Sequence, residues 1–200
     1  MTLADRAATL GLALRGGFHP EPGDDVPPLP DGRAAGTLLL LGWTGPIQWP
    51  HFAASPEYVD RRPDRLDRWS RRVIGVLSAA SGGHPLFPFG GPPHLPFQRW
   101  AMRAEPVHPS PVLVLIHPDW GLWHAWRGAL AFAEPLPLPP RDTRPSPCES
   151  CAAQPCRAAA DFDVARRACP IGTPYGDVQA AFHIAAFETV HGRREASASF

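Results

Sequence analysis

The sequence predicts an α+β fold in which helices flank an antiparallel sheet. Residues 37–41 form a short apolar run bounded by glycines, which suits a buried central strand. Residues 66–80 repeat apolar side chains at helical spacing and give the clearest amphipathic helix of the chain. Residues 112–116 and 122–132 are predicted as two strands joined by the turn 117–121. Strands joined by so short a turn must be antiparallel, because a parallel pair needs a long crossover.

Two further segments surround this predicted sheet. Apolar side chains at helical spacing predict a first helix over residues 3–14, which Gly16-Gly17 closes. Residues 81–97 are dense in proline, glycine and phenylalanine, which predicts a long loop. Loops of this length are uncommon inside compact domains and often cover a functional site.

The chain divides at a proline-rich linker. Residues 134–147 contain six prolines in fourteen positions, which predicts a semi-rigid connection. We therefore expect an α+β body over residues 1–139. Residues 140–200 are expected to form a cysteine-rich segment that ends in a closing helix over 177–191.

Charge and composition exclude several classes of function. The 200 residues carry 19 basic and 19 acidic side chains, and every basic one is arginine. Without lysine, the chain cannot form a Schiff base or use a phosphate-binding lysine. The balanced charge argues against general affinity for nucleic acid or anionic membranes. The longest apolar run is too short to span a membrane and no secretory signal is recognisable, so we expect a cytoplasmic protein.

The four cysteines form the most informative pattern. They follow the spacing Cys148-x2-Cys151-x4-Cys156-x12-Cys169, and Pro170 comes directly after the last one. In a reducing compartment, clustered cysteines indicate metal or redox ligands rather than disulfides. Two-cluster ferredoxins bind each [4Fe-4S] cluster with three closely spaced cysteines and a distant Cys-Pro. This chain contains that set once, which predicts a single cluster.

The cluster assignment requires the chain to fold back after Cys156. One straight helix between them would separate Cys156 and Cys169 by about 20 Å. Residues 161–163 offer a break, with Asp163 as the N-cap of a short helix through Ala168. Two alternatives remain open at this point: structural zinc, which four thiolates also bind, and a segment that holds no metal.

Two stretches of the chain resemble known proteins. The letters IHPDWGLW at 116–123, followed by Arg127-Gly128, are similar to the IHPRFGxW…RG segment of the cobalamin-processing CblC family. Epoxyqueuosine reductases carry a similar segment ahead of ferredoxin-type cysteines. The chain also resembles bacterial ferredoxin-like proteins in LFPFGGPPHLPFQRW at 86–100 and in residues 110–130. Those chains look longer in the cysteine region, with cysteines for two clusters, so the resemblance implies a segment shortened to one.

The resemblance implies a nitroreductase-like α+β body of the kind that CblC and epoxyqueuosine reductase share. It also implies a corrinoid or flavin cofactor, with His117, Trp120, Trp123 and Arg127 as the residues that would contact it. The residues themselves also allow structural roles. His117 can cap the backbone of its own turn, and the tryptophans can pack in the core.

These observations lead to three hypotheses about function. The first is a ferredoxin-like electron carrier with one [4Fe-4S] cluster and a redox partner protein. The second is a corrinoid- or flavin-dependent reductase in which the cluster feeds electrons, which would make the chain an oxidoreductase. The third is a non-catalytic module with structural zinc.

A row of arginines raises a separate question about partners. Arg61, Arg65, Arg68 and Arg72 lie beside the apolar stripe of the helix predicted over residues 66–80. Such a face could bind an acidic protein or tRNA, on which epoxyqueuosine reductase acts. Acidic side chains lie among the arginines and offset much of their field, so a solvated charged face is the simpler interpretation: Asp60, Asp64 and Asp67.

Overall fold

The computed structural model describes residues 1–185, and its main sheet has four antiparallel strands. In the spatial order β1-β2-β6-β3, they are β1 (Ala13–Phe18), β2 (Thr37–Thr44), β6 (His124–Phe132) and β3 (His84–Leu86). A second, two-stranded sheet pairs β4 (His108–Pro109) with β5 (Leu115–Ile116). Within residues 1–185, no helix is both long and apolar enough to cross a membrane.

Helices flank the main sheet, which confirms the predicted α+β class with an antiparallel sheet. In chain order they are α1 (Leu3–Thr9), α2 (Trp49–Ala53), α3 (Pro56–Val59), α4 (Arg65–Ser81), α5 (Phe97–Ala104) and α6 (Phe162–Ala168). A further helix, α7, begins at residue 177 and continues to 185, where the described residues end. The predicted extension of this helix to residue 191 lies outside the described residues.

The central strand β2 is buried along its whole length. Successive side chains of a strand point to opposite faces of the sheet. Leu39 and Leu41 join a core with α1, α2 and α4, whereas Leu38 and Leu40 join a second core with α5. The body therefore has three layers, and the continuous apolar run in the sequence reflects a strand covered on both faces.

The first helix ends earlier than the spacing of apolar residues predicts. Gly11 adopts a left-handed φ of 78°, and the chain then enters β1. Leu14, predicted to be helical, instead pairs with Leu41 of β2. Pairing with the buried central strand satisfies the backbone of residues 13–18, so the tertiary contact outweighs the helical spacing.

The prediction of antiparallel strands is confirmed. The strands that pair are not, however, the two whose short connection suggested it. The strand predicted over 112–116 is reduced to β5, which pairs with β4, while β6 pairs with β2 and β3. Leu113 interrupts the predicted strand with a left-handed φ of 64°. Only a single bridge between His117 and Gly121 closes the turn, with N–H···O distances of 3.0 and 2.9 Å.

The segment 81–97 is only partly a loop. Its residues 84–86 form β3 at the edge of the sheet, where the missing N–H of Pro85 is tolerated. Phe87 and Phe89 then pack beside the guanidinium group of Arg71 on α4, at 5.3 and 5.0 Å from the ring centroids. Phe87 and Phe89 therefore cover part of α4, whereas Gly90 and residues 92–94 are exposed to solvent.

Three of the four arginines in the row lie on α4, and each contacts a neighbouring group. Arg68 contacts the Asp60 carboxylate at 2.7 Å, and Arg72 contacts the Glu57 carboxylate at 2.6 Å. Arg65 lies beside two aromatic rings, those of Tyr58 and Phe182. These contacts offset the positive field of the row and favour the solvated charged face over a tRNA-binding surface.

Candidate metal centre

The first three cysteines lie on two tight turns after the linker. The main-chain N–H of Cys151 donates to the carbonyl oxygen of Cys148 at 3.4 Å. The Ser146 hydroxyl accepts from the main-chain N–H of Cys148 at 3.3 Å. Cys156 lies on a short 3-10 helix, Pro155–Ala158, which begins with a proline because the first N–H of a helix needs no partner. Both turns bend the chain within a few residues and keep these cysteines together.

The chain turns back after Cys156 and brings Cys169 to the other cysteines. Asp161 caps α6, and its carboxylate accepts from the main-chain N–H of Val164 at 2.9 Å. This helix is only seven residues long and ends at Ala168, and the N–H of the next residue, Cys169, donates to the carbonyl oxygen of Ala165 at 3.2 Å. A short helix with a sharp start therefore supplies the fold-back that a shared cluster would require.

The predicted N-cap at Asp163 is wrong by two residues. Asp161 takes this role because the helix begins at Phe162. Asp163 instead lies inside the first turn and accepts from Arg166 at 3.0 Å and from Arg167 at 2.8 Å. The predicted end of the helix at residue 168 is confirmed.

All four cysteines line one small cavity of about 20 Å³. The residues that line it with them are uncharged and mostly apolar: Ser110, Pro111, Ile116, Leu122, Pro147, Gln154, Pro155, Pro170 and Ile171. Four sulfur donors in apolar surroundings suit metals that prefer soft ligands, such as the iron of an iron–sulfur cluster or zinc.

Burial and mutual proximity raise the pKa of two of the thiols. The pKa of Cys148 is raised first by burial and further by the neighbouring Cys169, Cys156 and Cys151. The pKa of Cys169 is raised first by burial and further by Cys156 and Cys151. All four cysteines are free thiols rather than disulfides. A bound metal would reverse these shifts, because metal ligation requires the thiolate and releases the proton.

The four thiols line the same cavity, but they are not arranged around a single metal position. Within residues 1–185, no group of three or more His, Cys, Asp or Glu side chains is arranged to hold a single metal ion. A zinc ion binds each of its thiolate sulfurs at about 2.3 Å, which draws all of them to one centre. An iron–sulfur cluster instead places several iron atoms among its four thiolates. Metal analysis distinguishes the two.

The turn 117–121 holds the chain on both sides of the cysteines. Ahead of the first cysteine, both Nη atoms of Arg144 donate to the Asp119 carboxylate, each at 2.7 Å. Beyond the last cysteine, the backbone at Gly172 passes directly beside Gly121, and a Cβ atom on either glycine would overlap the opposing backbone. Their φ values, 85° and 58°, are left-handed and favour glycine. The turn therefore fixes both ends of the cysteine segment against the body.

If the four cysteines hold an iron–sulfur cluster, Asp119→Asn is expected to speed the loss of iron to a chelator by up to about fivefold, because the ion pair that it removes is exposed and contributes little. Asp142→Asn is the matched control: Asp142 also binds Arg144, but from the linker itself, so its loss leaves the bond to the turn intact. The measurement is the decay of cluster absorbance after chelator is added. Equal decay in Asp119→Asn and the wild type would mean that the turn does not position the first cysteine.

His117 and Trp120 form the inner side of this turn. His117 is 3% exposed, and its Nδ1 accepts from the main-chain N–H of Asp119 at 3.0 Å. Its ring stacks on Trp120 with centroids 3.7 Å apart. Burial lowers the pKa of His117 to about 4, so its ring is neutral at pH 7. His117 thus has the backbone-capping role that the sequence allows, and its contact with a cofactor stays a prediction.

Trp123 and Arg127 lie deeper in the molecule. Trp123 is fully buried, and the guanidinium group of Arg166 lies 4.1 Å from the centroid of its ring. Arg127 donates to the carboxylate of Asp67 at 2.6 Å and to the hydroxyl of Ser70 at 3.0 Å. These contacts tie β6 to α4 and give Arg127 a structural partner. A role for either residue in holding a cofactor stays a prediction.

Sequence reasoning missed a buried ion pair beside the turn. Arg15 on β1 donates to Glu105 at 2.9 Å and to the carbonyl oxygen of Trp43 at 2.8 Å. Its guanidinium group also lies 4.4 Å from the centroid of the Trp120 ring. Since Arg15 and Glu105 are 90 residues apart in the chain, no local pattern could reveal that they meet.

Comparison with known proteins does not assign a function to this cavity. Its role therefore has to be inferred from the residues that form it. No protein-family model matches the chain, and no similar sequence is found among curated proteins.

Proposed function

We propose that the chain is a ferredoxin-like electron carrier with one [4Fe-4S] cluster held by Cys148, Cys151, Cys156 and Cys169. The observation that most supports this proposal is the cavity that all four cysteines line. The contribution of Cys169 matters most, because it is separated from the others by α6 and reaches the cavity only through the fold-back. Closeness along the chain therefore does not explain why Cys169 lies beside the other three cysteines.

The chemistry of the cavity favours electron transfer over catalysis at the metal. Thiolates are the ligands that iron–sulfur clusters use, and four of them complete the coordination of a [4Fe-4S] cluster. No iron would then be left open for a substrate. All four cysteines are half-buried, so a redox partner protein could approach the cluster closely.

We further propose that the body is of the nitroreductase and CblC type and that the protein works in the cytoplasm. The four-stranded antiparallel sheet between helices agrees with this assignment. The corrinoid- or flavin-dependent reductase is the second candidate function. Saturable binding of cobalamin or flavin by the full chain would favour the reductase. If neither binds, the electron carrier remains the preferred function.

Anaerobic purification followed by iron–sulfur reconstitution tests the electron-carrier proposal. The expected product is a brown protein with about four iron and four sulfide per chain, whose absorbance is bleached by dithionite. Cys151→Ser should lose this absorbance, because one of the four ligands is removed. Ser150→Ala changes the exposed neighbouring residue and should retain it.

Two results would contradict the proposal. A protein that stays colourless after reconstitution would not be an iron–sulfur protein. About one zinc per chain, removed by a chelator with loss of folded structure, would identify the structural zinc module instead. Full absorbance in Cys151→Ser would show that the ligand assignment is wrong even if a cluster is present.

A further inference from the structure

Cys148 and Cys151 lie together on one short turn after the linker. Only Glu149 and Ser150 separate them in the chain. The main-chain N–H of Cys151 donates to the carbonyl oxygen of Cys148 at 3.4 Å and closes the turn. A turn closed in this way keeps its first and fourth Cα atoms within about 7 Å of each other. Disulfides join Cα atoms roughly 4–7 Å apart, so the backbone here already has the spacing of a disulfide.

This turn lies at the surface and is held by bonds within its own segment. Glu149 and Ser150 are both exposed to solvent. The main-chain N–H of Glu149 donates to the carbonyl oxygen of Ser146 at 3.1 Å, and the Ser150 hydroxyl donates to that of Pro147 at 3.3 Å. A bond between the two sulfur atoms therefore requires a small adjustment of this surface turn and leaves the body of the protein in place.

The other two cysteines belong to elements that are harder to move. Cys156 lies on the 3-10 helix Pro155–Ala158. Cys169 directly follows α6, on which the buried Arg166 places its guanidinium group 4.1 Å from the ring centroid of Trp123. Drawing Cys169 toward another sulfur would shift α6 against the body and disturb this contact. Pairing within the first turn is therefore favoured over a pairing that includes either of these cysteines.

The exposure of the thiols and the size of their cavity also favour an internal disulfide. All four cysteines are free and half-buried, so a small oxidant in solution can reach them. The cavity that they line holds about 20 Å³, which is room for about one water molecule. It cannot enclose a group as large as glutathione, so a neighbouring thiol is favoured to displace one. Where disulfides occur in cytosolic proteins, they are usually transient and serve catalysis or redox sensing.

We propose that Cys148 and Cys151 of the metal-free protein form a reversible disulfide, which prevents assembly of the cluster until it is reduced. The disulfide itself does not require that the chain carries iron, whereas its effect on assembly rests on the proposed function. It removes two of the four proposed ligands, because metal binding requires the thiolate. Loading of the protein with iron and sulfide would thus depend on the redox state of its surroundings.

Thiol–disulfide exchange with oxidised glutathione gives a balanced route to this disulfide. One of the two thiols, as its thiolate, attacks a glutathione sulfur, forms a mixed disulfide and releases one reduced glutathione. The neighbouring thiol then displaces the second glutathione and closes the protein disulfide. The two protein thiols give up two electrons and two protons, and one oxidised glutathione becomes two reduced ones. A dithiol reductant reverses both steps.

Incubation of the full-length apoprotein with oxidised glutathione tests the pairing, and N-ethylmaleimide added afterwards labels the thiols that remain. Mass spectrometry should show the loss of two hydrogen atoms and the gain of two maleimide groups, on Cys156 and Cys169. The peptides produced by cleavage after Glu149 should stay joined until dithiothreitol is added. Cys148→Ser should form no disulfide and take up three maleimide groups. Cys156→Ser is the matched control, which should keep the disulfide and take up one.

The initial rate of iron uptake, with ferrous iron and sulfide but no added thiol, measures the effect on assembly. It should be at least tenfold lower for the oxidised apoprotein and recover after dithiothreitol. Four maleimide groups after glutathione treatment, a lasting glutathione adduct, or a disulfide that includes Cys156 or Cys169 would overturn the pairing. Equal rates of uptake would overturn the effect on assembly. A protein that forms the disulfide but never binds iron would contradict the electron carrier, and with it the effect on assembly, but not the disulfide.

Discussion

Cys169→Ala is expected to lose at least nine-tenths of the bound iron and sulfide, although this residue lies farthest along the chain from the other cysteines. It lines the same cavity as the other three, so a [4Fe-4S] cluster would keep only three of its four protein ligands. The body should stay folded, because the half-buried thiol contributes little to the two cores. Iron and sulfide analysis measures the first effect, and circular dichroism during heating measures the second.

Ala153→Ser serves as the control for Cys169→Ala. Ala153 is an exposed residue of the same segment and does not line the cavity, so this variant should bind iron like the wild type. If Cys169→Ala keeps a full cluster, the fold-back after α6 is not part of the ligand set. The electron-carrier proposal would then lose its main support.

Gly121→Ala is expected to destabilise the protein by about 2–4 kcal/mol and to lose most of the cluster. The residue has a left-handed φ of 58°, and its new Cβ atom would overlap the carbonyl oxygen of Ile171. This oxygen belongs to the backbone, so no side-chain rotation can relieve the overlap. The chain after Cys169 would have to move away from the turn. Denaturant unfolding and iron content measure the two effects.

Gly82→Ala separates backbone strain from overlap. Gly82 ends α4 with a left-handed φ of 76°, but a Cβ atom there would meet open space. The variant should cost about 1 kcal/mol in stability and keep its full iron content. If Gly121→Ala and Gly82→Ala behave alike, the close approach of Gly121 to the cysteine segment has no effect on metal binding.

The elements that the sequence predicted well are those with a strong local pattern. The apolar run of β2 and the amphipathic stripe of α4 are both visible within a few residues, and the structure confirms them. The first helix failed because Leu14 pairs with Leu41, a contact that helical spacing cannot reveal. The hairpin failed for a similar reason, since β6 takes β2 and β3 as its partners instead of the strand next to it in the chain.

The candidate site shows the same division. The spacing of the cysteines and the need for a break before Cys169 could be predicted, because both depend on neighbouring residues. The bond between Arg144 and Asp119 could not, since it joins residues 25 positions apart.

The packing of Phe182 bears on whether the cysteine segment stays folded without a metal. Phe182 on α7 lies 5.5 Å from Trp49 and 5.2 Å from Phe52, in the core that Leu136 and Leu138 of the linker also contact. These contacts tether the cysteine segment at both ends through side chains other than the four thiols. In small zinc domains the metal drives folding. Here the contacts that hold the segment involve no thiol, so oxidative loss of the proposed cluster should leave a folded apoprotein that can be refilled.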